Sequence, residues 1–117
     1  MKDSNIRGVR GENTAALYME KSGFVILERN YRRTGCEVDI IAMEGEVLVF
    51  TEVKARSSTR NGYGREAVGR RKQQRIIRGA LNYIAENRME DRYGRYDVAE
   101  VDLNTGAVDY IRSAFEM

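Results

Sequence analysis

Apolar residues recur with two different periods along the chain, and the switches between them mark out its elements. Residues 11–22, reading Gly-Glu-Asn-Thr-Ala-Ala-Leu-Tyr-Met-Glu-Lys-Ser, have helical spacing, and Gly23 supplies a C-terminal stop. Residues 24–31 open on Phe24-Val25-Ile26-Leu27 and predict a first strand. Residues 37–42 (Glu-Val-Asp-Ile-Ile-Ala) predict a second and residues 47–54 (Val-Leu-Val-Phe-Thr-Glu-Val-Lys) a third. Met43-Glu44-Gly45-Glu46 between them is a tight turn, so these two strands form a hairpin. Residues 57–64, with Ser57, Ser58, Asn61, Gly62 and Gly64, read as a loop. A long helix follows over residues 65–87, with Ile76, Ile77, Ala80, Leu81 and Ile84 as its apolar stripe. Two last strands, over 95–103 and 107–112, flank Asn104-Thr105-Gly106. The order α-β-β-β-α-β-β predicts an α/β fold in which a small sheet is covered by helices. With no repeat or linker in view, one domain spans residues 1–117, and residues 1–7 are expected to be flexible.

Side chains alternate across a strand. Glu37, Asp39 and Ile41 should therefore share one face, and Val38, Ile40 and Ala42 the other. In the third strand Leu48, Phe50, Glu52 and Lys54 share a face opposite Val47, Val49, Thr51 and Val53. Both faces are largely apolar, so the hairpin belongs at the centre of the sheet. Three acids and a lysine then interrupt one buried face, where unpaired charge is costly. A two-residue turn at Glu44-Gly45 sets Glu37 opposite Glu52, whereas a four-residue loop over 44–47 sets Asp39 opposite Glu52. In either register Asp39 and Glu52 lie roughly 5–8 Å apart at Cβ. Like charges that close need a cation or a shared proton. Oxygen-only ligands select hard cations, so Mg²⁺ or Mn²⁺ is the natural partner. Lys54 points to the same place, where an ammonium would stabilise charge beside a phosphate under attack. The plainer alternative is a structural Glu52–Lys54 pair at the strand's exposed end.

Composition narrows the chemistry further. The 117 residues include no His and one Cys, which excludes imidazole-based triads, disulfide frameworks and Cys-rich zinc sites. The N-terminus lacks the apolar run of a signal peptide, and no stretch approaches the roughly 20 apolar residues of a membrane span. No membrane partner is expected, and a lone Cys suits a reducing cytoplasm. From Lys54 to Arg78 nine basic residues face one acid, Glu66, so this block carries +8 and the remainder of the +2 chain carries −6. Such a block suggests a polyanion face, DNA or RNA, with Arg56, Arg60, Arg65, Arg70, Arg71, Lys72, Arg75 and Arg78 as candidate phosphate contacts. A solvated helix face is the alternative. Tyr63 is a candidate for stacking a base or for ordinary packing. Gly64 to Arg71 has the glycine spacing of a phosphate loop, but it lacks the Lys-Ser/Thr pair and no strand runs directly into it.

Asp39 followed by Glu52-Val53-Lys54 resembles the PD-(D/E)xK nuclease motif. Nearly the whole chain, from about Gly8 to Phe115, resembles the YraN-like family of small bacterial proteins. The matching blocks are Gly11-Glu12-x-x-Ala15-Ala16, Gly23-Phe24-x-Ile26-Leu27-x-x-Asn30-Tyr31 and Glu37-Val38-Asp39-Ile40-Ile41-Ala42. They continue with Val49-Phe50-Thr51-Glu52-Val53-Lys54-x-Arg56, then Glu66-Ala67-Val68 with Lys72-Gln73, Arg95-Tyr96-Asp97-Val98 and Ala114-Phe115. The resemblance implies a restriction-endonuclease-like fold, closest in kind to archaeal-type Holliday junction resolvases. It implies a metal-dependent DNA endonuclease, with branched DNA as a candidate substrate. Asp39 and Glu52 would hold Mg²⁺ or Mn²⁺ with the Val53 backbone carbonyl, and Lys54 would be the catalytic lysine.

Glu12 matches the N-terminal helix glutamate that joins the site in resolvase relatives. By spacing alone, Glu12 shares a helical face with Ala16 and Met19, where it either meets a positive group or steadies the helix start. Glu37 is either a further ligand or a partner of Arg32 or Arg33. Glu66, Lys72 and Gln73 line the site edge in relatives; helix-start electrostatics and a solvated face account for them otherwise. A resolvase that cuts two strands works best as a symmetric dimer, so a homodimer is the expected assembly. The chain departs from the family at Cys36 and Gly64, where Gly and Pro are usual, and at Thr51 and Gly69, where Val and Asp are. By alternation Cys36 faces away from Asp39 and should be packed. Two rival functions remain on sequence grounds: a non-catalytic nucleic-acid-binding protein, and an interaction module of a DNA repair complex.

Overall fold

The expected hairpin closes on two residues, Gly45 and Glu46, with Glu44 still paired to Val47. Gly45 sits at φ 61°, the first central position of a tight hairpin turn that only glycine fills without strain. This hairpin is the centre of a computed structural model that describes residues 3–57 and 68–116. Its elements are α1 (Asp3–Lys21), β1 (Val25–Arg33), β2 (Cys36–Glu44), β3 (Val47–Arg56), α2 (Arg70–Asn87), β4 (Tyr93–Asp102) and β5 (Val108–Phe115). The sequence order α-β-β-β-α-β-β is the order observed. α1 begins at Asp3, well ahead of the expected Gly11.

The strands lie side by side in chain order, β1-β2-β3-β4-β5. All neighbours are antiparallel except β3 and β4, which run parallel from Val47↔Tyr93 to Arg56↔Asp102. A parallel pair needs a crossover, and α2 lies within it. α1 packs on one face of the sheet and α2 on the other, as in the restriction-endonuclease-like architecture. On the α1 side Ala15, Ala16, Met19 and Phe24 meet Ile40, Ala42, Val49, Ala99 and Val101. On the α2 side Ile76, Ala80 and Tyr83 meet Tyr31, Val38, Ile41, Leu48, Phe50 and Val98. Among the described residues no helix is long and apolar enough to cross a membrane.

Two expectations from periodicity fail, each for a physical reason. Val38 was expected on the same face as Ile40, but Val38 packs against α2 while Ile40 packs against α1. β2 is held by β3 only as far as Ile40↔Thr51. Beyond that it pairs with β1 alone and can coil, so strict alternation lapses at Asp39. Leu81 was placed in the apolar stripe of α2, yet it is 50% exposed. The buried stripe is Ile76, Gly79, Ala80 and Tyr83. The helix is turned so that Gly79 lies against β2, where a Cβ would stand 2.9 Å from Val38 Cγ2. α1 makes an equally close approach: a Cβ on Gly11 would stand 2.6 Å from Ala55 Cβ of β3. Cys36 is buried and packed, as alternation suggested.

Candidate active site

Continuing the β2–β3 register beyond Ile40↔Thr51 puts Asp39 opposite Glu52. This is the second of the two arrangements considered, reached through a two-residue turn at Gly45-Glu46. The strands part there instead of pairing. The Asp39 carboxylate fills the gap, its Oδ2 accepting the Val53 N–H at 2.8 Å. β3 carries on along β4, so its other edge opens a wedge. The wedge widens into a cavity of about 630 Å³, lined among others by Glu12, Arg29, Asn30, Arg32, Asp39, Glu52, Val53 and Lys72.

Glu52 is the least satisfied group in it. The residue is 9% exposed, and Oε1 is buried without a hydrogen-bond partner. Oε2 lies 3.6 Å from Lys72 Nζ. Burial, and then the charge of Asp39, push the Glu52 carboxyl up to about 8. Asp97, another buried acid of the central strands, behaves differently. Asp97 is fully buried, but it accepts from Arg95, from the Tyr110 hydroxyl at 2.7 Å and from the Ser113 N–H at 2.9 Å. Asp97 is a closed structural network; Glu52 is an open one.

Glu12 does line the cavity, at 7% exposure. Its Oε1 accepts from Arg29 Nε and from Asn30 Nδ2, each at 2.9 Å. Burial raises its carboxyl although Arg29 pulls the other way. Asn30 reaches it from a left-handed backbone at φ 54°, a conformation asparagine tolerates better than most residues. Glu37 is taken by cations: Lys72 at 2.7 Å, and Arg32 and Arg75 at 3.4 Å each. The Lys72 bond leads in holding its carboxyl low. Arg32 is thus the partner of Glu37, and also stands 3.6 Å from Asp39, while Arg33 pairs with Glu86. Lys54 is half-buried on the Glu52 face of β3 but is not among the residues lining the cavity. Its neighbour in register on β4 is Glu100, a 4% exposed acid whose Oε2 has no hydrogen-bond partner.

Of the expected phosphate contacts, Arg70, Arg71, Arg75 and Arg78 are exposed along α2, while Lys72 turns into the cavity. Arg56 is half-buried, with its Nε buried. Gln73 donates to the Val68 carbonyl at 2.7 Å at the start of α2. Arg60, Tyr63, Arg65 and Glu66 lie outside the described residues. Sequence reasoning missed Arg29 and Asn30, and considered Arg32 only as a partner of Glu37. Their signal was the polar run Glu28-Arg29-Asn30, which follows directly on the apolar run Phe24-Val25-Ile26-Leu27.

The donor set suits a hard divalent cation. Asp39 and Glu52 offer adjacent carboxylate oxygens, and the Oε1 of Glu52 is buried without a hydrogen-bond partner. Among the described residues no three acid or cysteine side chains converge as a metal-ligand set. Two carboxylates, a backbone carbonyl and water suit Mg²⁺, which keeps much of its hydration.

Residues 11–101 match the family model described as "Uncharacterised protein family UPF0102". The chain is 44% identical to a UPF0102 protein of Desulforapulum autotrophicum, covering 93% of this chain and 92% of that one. A UPF0102 protein of Syntrophus aciditrophicus is 42% identical over 97% of this chain and 91% of its own length. One from Acetivibrio thermocellus is 43% identical over 92% of this chain and 89% of its own.

Proposed function

We propose that this chain, which belongs to the UPF0102 family, is a divalent-cation-dependent DNA endonuclease that hydrolyses phosphodiesters, with branched DNA such as Holliday junctions as a candidate substrate. One observation carries the reading: Asp39 and the half-satisfied Glu52 sit where two strands part, in a cavity rimmed by Arg29, Arg32 and Lys72. Acids inside and cations around them suit a cation and a phosphodiester together.

In this reading Asp39 and Glu52, with the Val53 carbonyl, hold Mg²⁺ or Mn²⁺. When bound, the cation supplies charge neutralisation and an activated water. The chain's own groups do the rest. Asp39 is fixed by the Val53 N–H, so it presents its remaining lone pairs in one direction. Glu12 holds Arg29 and Asn30 at one side of the cavity, and Glu37 holds Arg32 and Lys72 at another. These tethered cations line the approach of an anionic backbone. Arg70, Arg71 and Arg78 extend the positive surface along α2.

A second reading, nucleic-acid binding without turnover, is favoured by the place of Lys54 outside the cavity lining. One assay separates the two. Labelled four-way junction, fork, flap, duplex and single strand are incubated with Mg²⁺, Mn²⁺ or EDTA. Cation-dependent cutting of a branched substrate is expected, lost in Asp39→Ala. Salt-sensitive binding with no cutting by any preparation would instead establish the binding protein.

A further inference from the structure

Lys72 is the third residue of α2, after Arg70 and Arg71. The first turn holds no acid, and Gly69 at the N-cap offers no side-chain hydrogen bond. Positive charge at the positive end of a helix is unfavourable, so an anion must compensate it. The compensation is in the cavity: Nζ lies 2.7 Å from Glu37 Oε1 and 3.6 Å from Glu52 Oε2. Lys72 is therefore the lysine that lines the site.

We propose that Lys72 is a positioning residue of the site, a resident counter-ion that a divalent cation must displace from Glu52 while Glu37 keeps hold of it. The inference rests on the reading that Asp39 and Glu52 hold the cation. Two positive charges cannot both sit against one carboxylate without strong repulsion. The unequal distances set the outcome. The short bond to Glu37 survives and the longer contact to Glu52 gives way, so the ammonium swings aside without leaving the cavity. Lys72 thus lowers cation affinity in exchange for keeping the empty carboxylates in place.

The test is Mg²⁺ binding to the free protein above pH 8, where the Glu52 carboxyl is ionised, with no DNA and no turnover. The Val53 N–H, bonded to Asp39, is the reporter, followed by ¹⁵N NMR through a Mg²⁺ titration. Lys72→Gln should bind Mg²⁺ about fivefold more tightly than the parent, the factor that matches loss of one partly exposed ion pair. Lys72→Met, which keeps the aliphatic stem, carries the same expectation should Lys72→Gln fold poorly. Lys72→Arg should bind no more tightly than the parent. Unchanged or weaker binding in a folded neutral variant would overturn the inference, provided Asp39→Asn has lost its Mg²⁺ response. If Asp39→Asn responds like the parent, the metal reading itself has failed and takes this one with it.

Discussion

Glu52 and Glu37 sit within reach of the same ammonium, yet their carboxyls are driven in opposite directions. Glu37 bonds Lys72 directly and is held low; Glu52 is buried beside Asp39 and is raised from 4.5 to about 8. The two therefore act on stability in different pH windows. Glu37 stabilises the fold above 4.5, and that contribution fades as the pH falls further. Glu52 has the opposite sign. The unfolded chain releases its proton near 4.5 while the folded protein keeps it, so stability is lost as pH rises from there through about 8. Glu52→Gln cannot ionise and should remove that loss. Its thermal midpoint in EDTA should gain on the parent's from pH 4.5 to 8 and then level off. Parallel curves across that range would mean that Glu52 is not the strained acid described. At this scale the sequence was partly legible. Asp39 and Glu52 stood out because acids interrupted an apolar alternation. Arg29 and Asn30 did not, because their roles depend on where α1 sets Glu12, a contact 17 residues away for Arg29.

Element order follows from spacing, and the strands fall close to their expected residues, but α1 starts at Asp3 instead of Gly11 and α2 at Arg70 instead of Arg65, with Val68 and Gly69 outside the helix. What spacing could not convey is how closely elements approach. Among the described glycines, Gly79 and Gly11 leave the least room for a Cβ, and neither sits in a turn. Gly79→Ala would ordinarily favour a helix by about 1 kcal/mol. Here the new methyl meets Val38 Cγ2 at 2.9 Å and the Glu37 backbone at 3.4 Å, in a packed interior. Net destabilisation of about 1–3 kcal/mol is expected by urea unfolding, and adding Val38→Ala should shrink the penalty of the second methyl. Strict additivity of the two substitutions would place the helix elsewhere. The same closeness explains why Leu81 was misplaced: the stripe that packs is decided by which helix face has a glycine to offer. The lapse of alternation at Val38 has a similar origin, since a strand with a partner on one side only is free to roll.

At the scale of the molecule, charge is distributed unevenly. The exposed cations of α2, Arg70, Arg71, Arg75 and Arg78, are carried by the same helix as the cavity's Lys72, and the block they belong to carries +8 in a +2 chain. Polyanion binding through such a surface releases counterions, so affinity must fall with salt. Replacing Arg70, Arg71 and Arg78 together by Ala should flatten the log–log salt dependence of DNA binding by about one unit per residue, measured by fluorescence anisotropy. A slope that does not change would move the contact surface to the Arg29 and Arg32 side.

The sheet's strand order has a kinetic meaning as well. β1, β2 and β3 are neighbours in the chain and can assemble as a meander from local contacts alone. The parallel docking of β4 on β3 joins residues far apart in sequence and closes a long loop, which is the slow kind of step. Glu52 is on β3, beside Val98 of β4, so part of its burial depends on that docking. If Asp39 and Glu52 hold a cation only once β4 has docked, that cation lengthens the life of the folded state more than it hastens its formation.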